Sequence, residues 1–68
     1  MKILIVGLGS MGKRRACLTK GIDSSIRIAG VDTAESRRAE TTDLGLIDAA
    51  YPSIAEAVAA EAPDAALV

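Results

Sequence analysis

The stretch ILIVGLGSMG, residues 3–12, decides the fold of this chain. It begins with four consecutive apolar residues, three of them β-branched, which is typical of a strand covered on both faces. Three glycines follow with the spacing Gly-x-Gly-x-x-Gly, and residues 13–20 after them contain good helix formers and no proline. A strand, a glycine loop and a helix in this order predict the opening of a βαβ unit that binds the phosphates of a dinucleotide.

Each glycine of this loop has a physical role in such a unit. Gly7 permits a tight turn out of the strand, Gly9 lets the backbone approach a pyrophosphate, and Gly12 lets the helix pack closely on the sheet. Free amides at the start of the helix then face the phosphates, and the Ser10 hydroxyl either donates to a phosphate oxygen or simply sits at the helix start. The alternative is an ordinary turn without a ligand, but three glycines here would cost stability without a ligand-related reason. We therefore predict that the residues that contact or permit the pyrophosphate are Gly7, Gly9, Ser10, Met11 and Gly12.

An acidic residue follows the second predicted strand at the distance that this motif requires. Asp32 lies 20 residues after Gly12, where a carboxylate accepts hydrogen bonds from the adenosine ribose or else caps a turn or helix. We predict that Asp32 holds the ribose. Its charge would repel a 2′-phosphate, so NAD is the predicted cofactor, with NADP as the alternative. Arg37 and Arg38 either offset this repulsion or form a solvated helix face.

The remaining sequence continues the alternation of strands and helices. Thr33 is the predicted cap of the second helix, Ser53 caps the third with Glu56 at the capping-box spacing, and Gly21 is predicted to end the first helix. This order predicts an α/β, Rossmann-type parallel sheet with helices on both faces and only the first four strands present, in the order 3-2-1-4. The predicted strands are 3–6, 26–31, 47–51 and 65–68, and the predicted helices are 13–20, 34–42 and 54–61.

Composition excludes several classes of function. The formal net charge is −1 and a single aromatic residue is present, whereas nucleic-acid binders have a basic face and aromatic stacking surfaces. The apolar run at residues 3–6 is too short for a signal peptide or a membrane span. We therefore expect no nucleic-acid partner, no membrane association and a cytoplasmic location.

The sequence also offers few groups for catalysis. It contains no histidine and a single cysteine, Cys17, which is predicted to be a small buried hydrophobe. No metal-ligand spacing is evident, and no paired carboxylates have a convincing acid–base arrangement. The helical carboxylates are predicted to lie on solvated helix faces: Glu35, Glu40, Asp43, Glu56 and Glu61.

Four stretches of the chain resemble the Gfo/Idh/MocA oxidoreductases, the family of glucose–fructose oxidoreductase, inositol dehydrogenase and their relatives. These are residues 5–15, 28–32, 35–39 and 51–68, the last containing a Pro-Asp-Ala sequence before the fourth strand. The sequence departs from the family at Arg15, where many members have histidine.

The resemblance implies an NAD(P)-dependent oxidoreductase that acts on a sugar, inositol or related polyol. It also implies a substrate domain after the nucleotide-binding domain, and homo-oligomers of the full-length protein. In the family a catalytic lysine lies in a Glu-Lys-Pro motif beyond the fourth strand, so no catalytic residue is expected in this chain. We therefore predict that residues 1–68 are the first part of a dinucleotide-binding domain, inactive on its own.

Two other classes share a glycine-rich first loop. One is a regulatory module that senses nucleotides without catalysis, as in regulators of potassium transport. The other is a methyltransferase that uses S-adenosylmethionine. The sequence that follows residue 68 would distinguish the regulatory module from a dehydrogenase. A comparison of the binding of NAD and S-adenosylmethionine would distinguish the methyltransferase.

Overall fold

A computed structural model describes residues 1–68 as one parallel sheet with helices on both of its faces. The strand order is β3-β2-β1-β4, and all three strand pairs are parallel, which confirms the predicted topology. The longest helix has 13 residues, and none of the three combines the length and apolarity needed to span a bilayer. The elements are β1 (Lys2–Val6), α1 (Ser10–Ile22), β2 (Arg27–Val31), α2 (Glu35–Asp43), β3 (Ala49–Tyr51), α3 (Ile54–Glu61) and β4 (Ala65–Leu67).

Two apolar clusters cover the two faces of the sheet. Successive side chains of a strand point to opposite faces, so in β1 Ile5 joins one cluster and Leu4 joins the other. Complete burial of an aliphatic side chain of this size contributes about 1.5–3 kcal/mol. The α1 side contains Ile5, Leu8, Ala16, Ile28 and Ile47, and the α3 side contains Leu4, Ala29, Val31 and Ala57.

Gly30, in the middle of β2, makes room for the loop after β1. A Cβ atom at this position would lie 2.8 Å from Cδ2 of Leu8 and 2.9 Å from Cδ1 of Ile47. Because the position is a glycine, Leu8 packs directly on the sheet and is completely buried. The middle of the glycine loop is thus anchored in the core.

The ends of the helices agree with the prediction at α3 only. Ser53 caps α3, because its Oγ accepts from the amide of Glu56 at 3.2 Å and donates to the Glu56 carboxylate. The first helix does not end at Gly21 but continues to Ile22. Gly21 does not end the helix because it lacks the positive φ of a C-terminal glycine, and Asp23 is the C-cap residue instead.

The predicted cap of the second helix is also wrong. Ala34 is the N-cap residue, and its side chain makes no capping hydrogen bond. The Ala34 amide instead donates to Oδ1 of Asp32 at 2.8 Å. A carboxylate at the end of the strand therefore takes the place predicted for the Thr33 hydroxyl.

Two further predictions about burial are wrong. Cys17 is exposed, because Gly12 and Ala16 are the residues of α1 that face the sheet and the next residue points about 100° away around the helix. Glu61 is not on a solvated face but is 5% exposed. The last turn of α3 brings Glu61 to Arg27, at the start of β2, and to Tyr51 of β3.

Candidate functional site at the carboxyl end of the sheet

The glycine loop turns sharply where β1 ends. Gly7 has a φ of +91°, in the left-handed region that glycine adopts without steric cost. Its amide donates to the carbonyl of Val31 at 2.7 Å, which ties the turn to the end of β2. The tight turn predicted at Gly7 is therefore present.

Gly12 is the point of closest approach between α1 and the loop. A Cβ atom at this position would overlap the carbonyl oxygen of Gly7, so only glycine fits. Gly9 is the N-cap residue of α1 and provides no side-chain cap. The first bond of the helix runs from the Lys13 amide to the Gly9 carbonyl at 3.0 Å, so the amides of residues 10–12 have no partner within the helix.

Asp32 is held at the end of β2 by two backbone amides. Its Oδ2 accepts from the amide of Leu8 at 2.9 Å, and its Oδ1 accepts from the amide of Ala34 at 2.8 Å. The hydrogen bond from the Ala34 amide, followed by that from the Leu8 amide, lowers the pKa of the Asp32 carboxyl, and the charge of Arg37 makes a smaller contribution in the same direction. The carboxylate is therefore ionised at neutral pH and couples the glycine loop to the start of α2. Asp32 thus forms the hydrogen bonds of a turn residue and also borders a cleft, and its role in holding the ribose stays a prediction.

The two arginines of α2 lie in different environments. Arg38 donates through Nη1 to the carbonyls of Asp32 and Thr33, at 2.7 and 3.2 Å. Arg37 places Nη1 3.6 Å from Oδ2 of Asp32, and 57% of its side chain is exposed. The structure thus brings both arginines to the end of β2, rather than leaving them on a helix face remote from Asp32.

Two clefts open at the carboxyl end of the sheet, on either side of Val6 and Gly7. One has a volume of about 390 Å³ and contains Asp32 in its wall. The other, of about 450 Å³, follows the glycine loop. The first is lined by Val6, Gly7, Val31, Asp32, Thr33, Pro52, Ser53 and Ile54, and the second by Val6, Gly7, Gly9, Ser10, Met11, Gly12, Arg15 and Val68. All six residues predicted to bind the cofactor therefore lie along this pair of clefts.

Several residues of the site did not follow from the motif. Thr33, Pro52 and Ile54 line the first cleft, and Arg15 reaches the second, where its Nη1 donates to the Val68 carbonyl at 2.7 Å. One signal for the first group was available, because the carboxyl ends of neighbouring parallel strands meet and residues 52–54 directly follow β3. No sequence pattern predicted the hydrogen bond of the Leu8 amide, because its partner, Asp32, is 24 residues away.

The site is suited to binding rather than to acid–base chemistry. No group of His, Cys, Asp and Glu side chains is arranged to hold a metal ion. The one carboxylate in the clefts, Asp32, has a lowered pKa, which is unfavourable for a general base at neutral pH. Open amides, a fixed carboxylate and an apolar wall instead match the groups of a nucleotide: phosphates, ribose hydroxyls and a base.

The fold and part of the sequence are shared with a known dehydrogenase. The structure is similar to the crystal structure of prephenate dehydrogenase from A. aeolicus in complex with hydroxyphenyl propionate and NAD+, with a TM-score of 0.88 and 33% sequence identity. This chain has a Rossmann fold. The match covers 97% of the chain and 23% of the dehydrogenase, so the chain spans about a quarter of that protein's length.

Other comparisons add no family. No family model matches the sequence, and no curated protein matches it. The dehydrogenase contains NAD+, the cofactor that Asp32 predicts for this chain. Membership of the Gfo/Idh/MocA family stays a prediction.

Proposed function

We propose that this chain binds NAD at the carboxyl end of its sheet, as the nucleotide-binding part of an oxidoreductase. The observation that carries the proposal is the coupling of Asp32 to the glycine loop through the Leu8 amide, at 2.9 Å. One hydrogen bond thereby aligns the ribose-binding carboxylate with the phosphate-binding loop. The NAD+ in the similar dehydrogenase supports the same assignment.

The first cleft is proposed to take the adenosine half of the cofactor. Each oxygen of Asp32 accepts one backbone amide, and since a carboxylate has about four lone-pair sites, it retains acceptor capacity for the two ribose hydroxyls. The apolar side chains of Val6, Val31 and Ile54 line the same cleft and provide surface for the adenine. The exposed Thr33 also lines this cleft.

The second cleft is proposed to take the pyrophosphate. Gly9 keeps a side chain out of the open space beside the loop, and Gly12 lets α1 pack against the Gly7 carbonyl. The amides at the start of α1 face an anion with the favourable end of the helix dipole. Ser10 and Met11 belong to this first turn and border the cleft. Bound NAD would supply a nicotinamide ring that accepts or donates a hydride. The residues of this chain hold and orient the cofactor, and the substrate is proposed to be held by a further domain in a homo-oligomeric protein.

For the substrate, we propose a sugar, inositol or related polyol. The support is the resemblance of residues 5–15, 28–32, 35–39 and 51–68 to the Gfo/Idh/MocA oxidoreductases. A second candidate is prephenate, the substrate named for the similar dehydrogenase at 33% identity. The two candidate substrates are distinguished by incubating the natural polypeptide with NAD and either a polyol from a panel or prephenate. The formation of NADH is measured by its absorbance. Binding of NAD without turnover of any of them would favour a nucleotide-sensing module.

The experiment that tests cofactor binding uses the chain directly. Ligand-detected NMR with NAD and S-adenosylmethionine, each added separately and then in competition, should show saturation transfer to NAD. AMP should displace NAD, because it carries the same adenosine ribose. A signal from S-adenosylmethionine alone would overturn the proposal in favour of a methyltransferase.

A further inference from the structure

We infer that Arg15 is a phosphate-binding residue, whose guanidinium neutralises the pyrophosphate of the cofactor in the second cleft. The inference rests on the proposed function, because it concerns the cleft assigned there to the pyrophosphate. It adds a charged side chain from the second turn of α1 to a site otherwise built mainly from backbone.

The packing of α1 directs Arg15 towards this cleft. Gly12 and Ala16 face the sheet and are buried, whereas Arg15 is half-buried and lines the second cleft together with Met11. These two residues are four apart and therefore share one face of the helix. Nη1 of Arg15 donates to the Val68 carbonyl at 2.7 Å, which holds the guanidinium between α1 and the end of β4.

Arg15 brings an uncompensated positive charge to the second cleft. It is the only charged residue in the wall of this cleft, its hydrogen-bond partner is a neutral carbonyl, and it forms no ion pair. A guanidinium has several N–H donors, so the bond to Val68 leaves others free. Such a group attracts an anion, and its planar donors match the oxygens of a phosphate.

The other cations of α1 are not placed for this role. Lys13 and Lys20 are each paired with a carboxylate, at 2.5 and 2.8 Å. Arg14 is exposed and lies outside both clefts. Of the basic residues on this helix, Arg15 alone carries charge to the cofactor.

The glycine loop itself supplies few donors to a phosphate. The Gly7 amide donates to the Val31 carbonyl at 2.7 Å, and the Leu8 amide donates to Asp32 at 2.9 Å. These two amides are therefore already occupied. The remaining amides of the loop carry no formal charge, whereas a pyrophosphate is negatively charged on both of its phosphates, and the guanidinium of Arg15 provides the opposite charge.

The test compares ligands that differ in their phosphates. The affinity for NADH is measured by its fluorescence, and the affinities for ADP and adenosine by competition against NADH, for the wild type, Arg15→Gln and Arg15→Lys. Arg15→Gln should weaken NADH and ADP by about five- to tenfold and leave adenosine unchanged, because adenosine lacks the pyrophosphate. Arg15→Lys keeps the charge and should restore part of the affinity.

Arg14→Gln is the matched control, because it removes the same charge from a neighbouring position outside both clefts. It should leave all three affinities unchanged, and circular dichroism should show that all four proteins are folded. Raising the salt concentration should narrow the difference between ADP and adenosine in the wild type, because salt screens a partly exposed charge. The salt dependence should be weaker in Arg15→Gln.

Three outcomes would contradict the inference. If the wild type binds NADH and Arg15→Gln keeps its affinity for NADH and ADP, the role of Arg15 is wrong and the proposed function stands. An equal weakening of adenosine would also overturn the role, because Arg15 would then act only by holding the end of β4. If the wild type binds none of the three ligands, both the proposed function and the role of Arg15 are wrong.

Discussion

Each end of the sheet holds a carboxylate that is almost inaccessible to solvent, and the two carboxylates accept hydrogen bonds from different kinds of donor. Asp32, at the carboxyl end, is bonded by backbone amides and borders a cleft. Glu61, at the amino end, is bonded by side chains: Nε of Arg27 at 2.7 Å, Nη2 of Arg27 at 3.1 Å and the Tyr51 hydroxyl at 2.5 Å. Both have a lowered pKa.

The difference is the reason why we propose Asp32, and not Glu61, as the carboxylate that binds a ligand. The donors to Asp32 are backbone amides whose positions the fold fixes, and they leave the outer side of Asp32 facing the cleft. Side-chain donors from β2 and β3 instead surround Glu61 and link α3 to the sheet. A lowered pKa therefore does not by itself mark a functional site, because a structural ion pair lowers it as well.

The largest effect is expected where the glycine loop meets α1. Gly12→Ala would force a Cβ atom onto the Gly7 carbonyl and should lower the free energy of unfolding by about 3 kcal/mol. The matched control is Gly21→Ala, at the other end of the same helix, where nothing lies near the added atom. It should raise stability by about 0.5–1 kcal/mol. Urea denaturation of both variants checks this, and equal effects would show that the tight packing at the carboxyl end is not needed.

A second prediction concerns the ligand role of Asp32. Asp32→Asn keeps the size of the side chain but removes its charge and one of its acceptor oxygens. Because hydrogen bonds to a charged group contribute about 1.5–3 kcal/mol, the affinity for NADH should fall roughly 30-fold. Fluorescence titration measures it. Glu61→Gln is the control at the amino end, and an equal loss of NADH affinity in both would remove the distinction between the two carboxylates.

A third prediction uses pH to examine the amino end. The hydrogen bonds from Arg27, followed by that from Tyr51, lower the pKa of Glu61 from 4.5 to about 2. A carboxyl whose pKa is lower in the folded state stabilises the fold above its unfolded pKa, so this stability is lost as the pH falls from about 4.5 to about 2. Since 46% of the Arg27 side chain is exposed, we expect a loss of about 1–2 kcal/mol after solvent screening.

Urea denaturation at pH 7, 4 and 2.5 provides the measurement for Glu61. The wild type should be more stable than Glu61→Gln at pH 7, and the difference should narrow at pH 4 and further at pH 2.5, because the folded pKa is about 2. A difference that stays constant over this range would show that the charge of Glu61 does not contribute to stability.

The smallest effect is expected at the cap of α3. Ser53→Ala removes the hydroxyl that accepts from the Glu56 amide and should cost about 1 kcal/mol. Ser36→Ala, within α2, is the control and should be neutral or slightly stabilising, because alanine is the better helix former. If thermal denaturation shows the same change in stability for both variants, the Ser53 cap does not contribute to the stability of the protein.

Local features of the chain could be predicted with good accuracy. The order of strands and helices, the turn at Gly7 and the cap at Ser53 depend on residues close to each other in sequence. The parallel topology could be predicted because alternating strands and helices imply right-handed crossovers. The apolar run of β1 and the spacing of the loop are patterns within residues 3–12, and the structure confirms the fold that they predict. The six predicted cofactor residues line the two clefts, and their roles stay predictions.

Only the tertiary structure decided which side chains meet. The Leu8 amide reaches Asp32 across 24 residues, and Arg27 reaches Glu61 across 34. Burial of Glu61 and exposure of Cys17 likewise depend on which face of a helix lies on the sheet, and the weakly amphipathic sequences of α1 and α3 do not specify that face. Backbone conformation follows from neighbours along the chain, whereas pairing and burial follow from how distant segments pack.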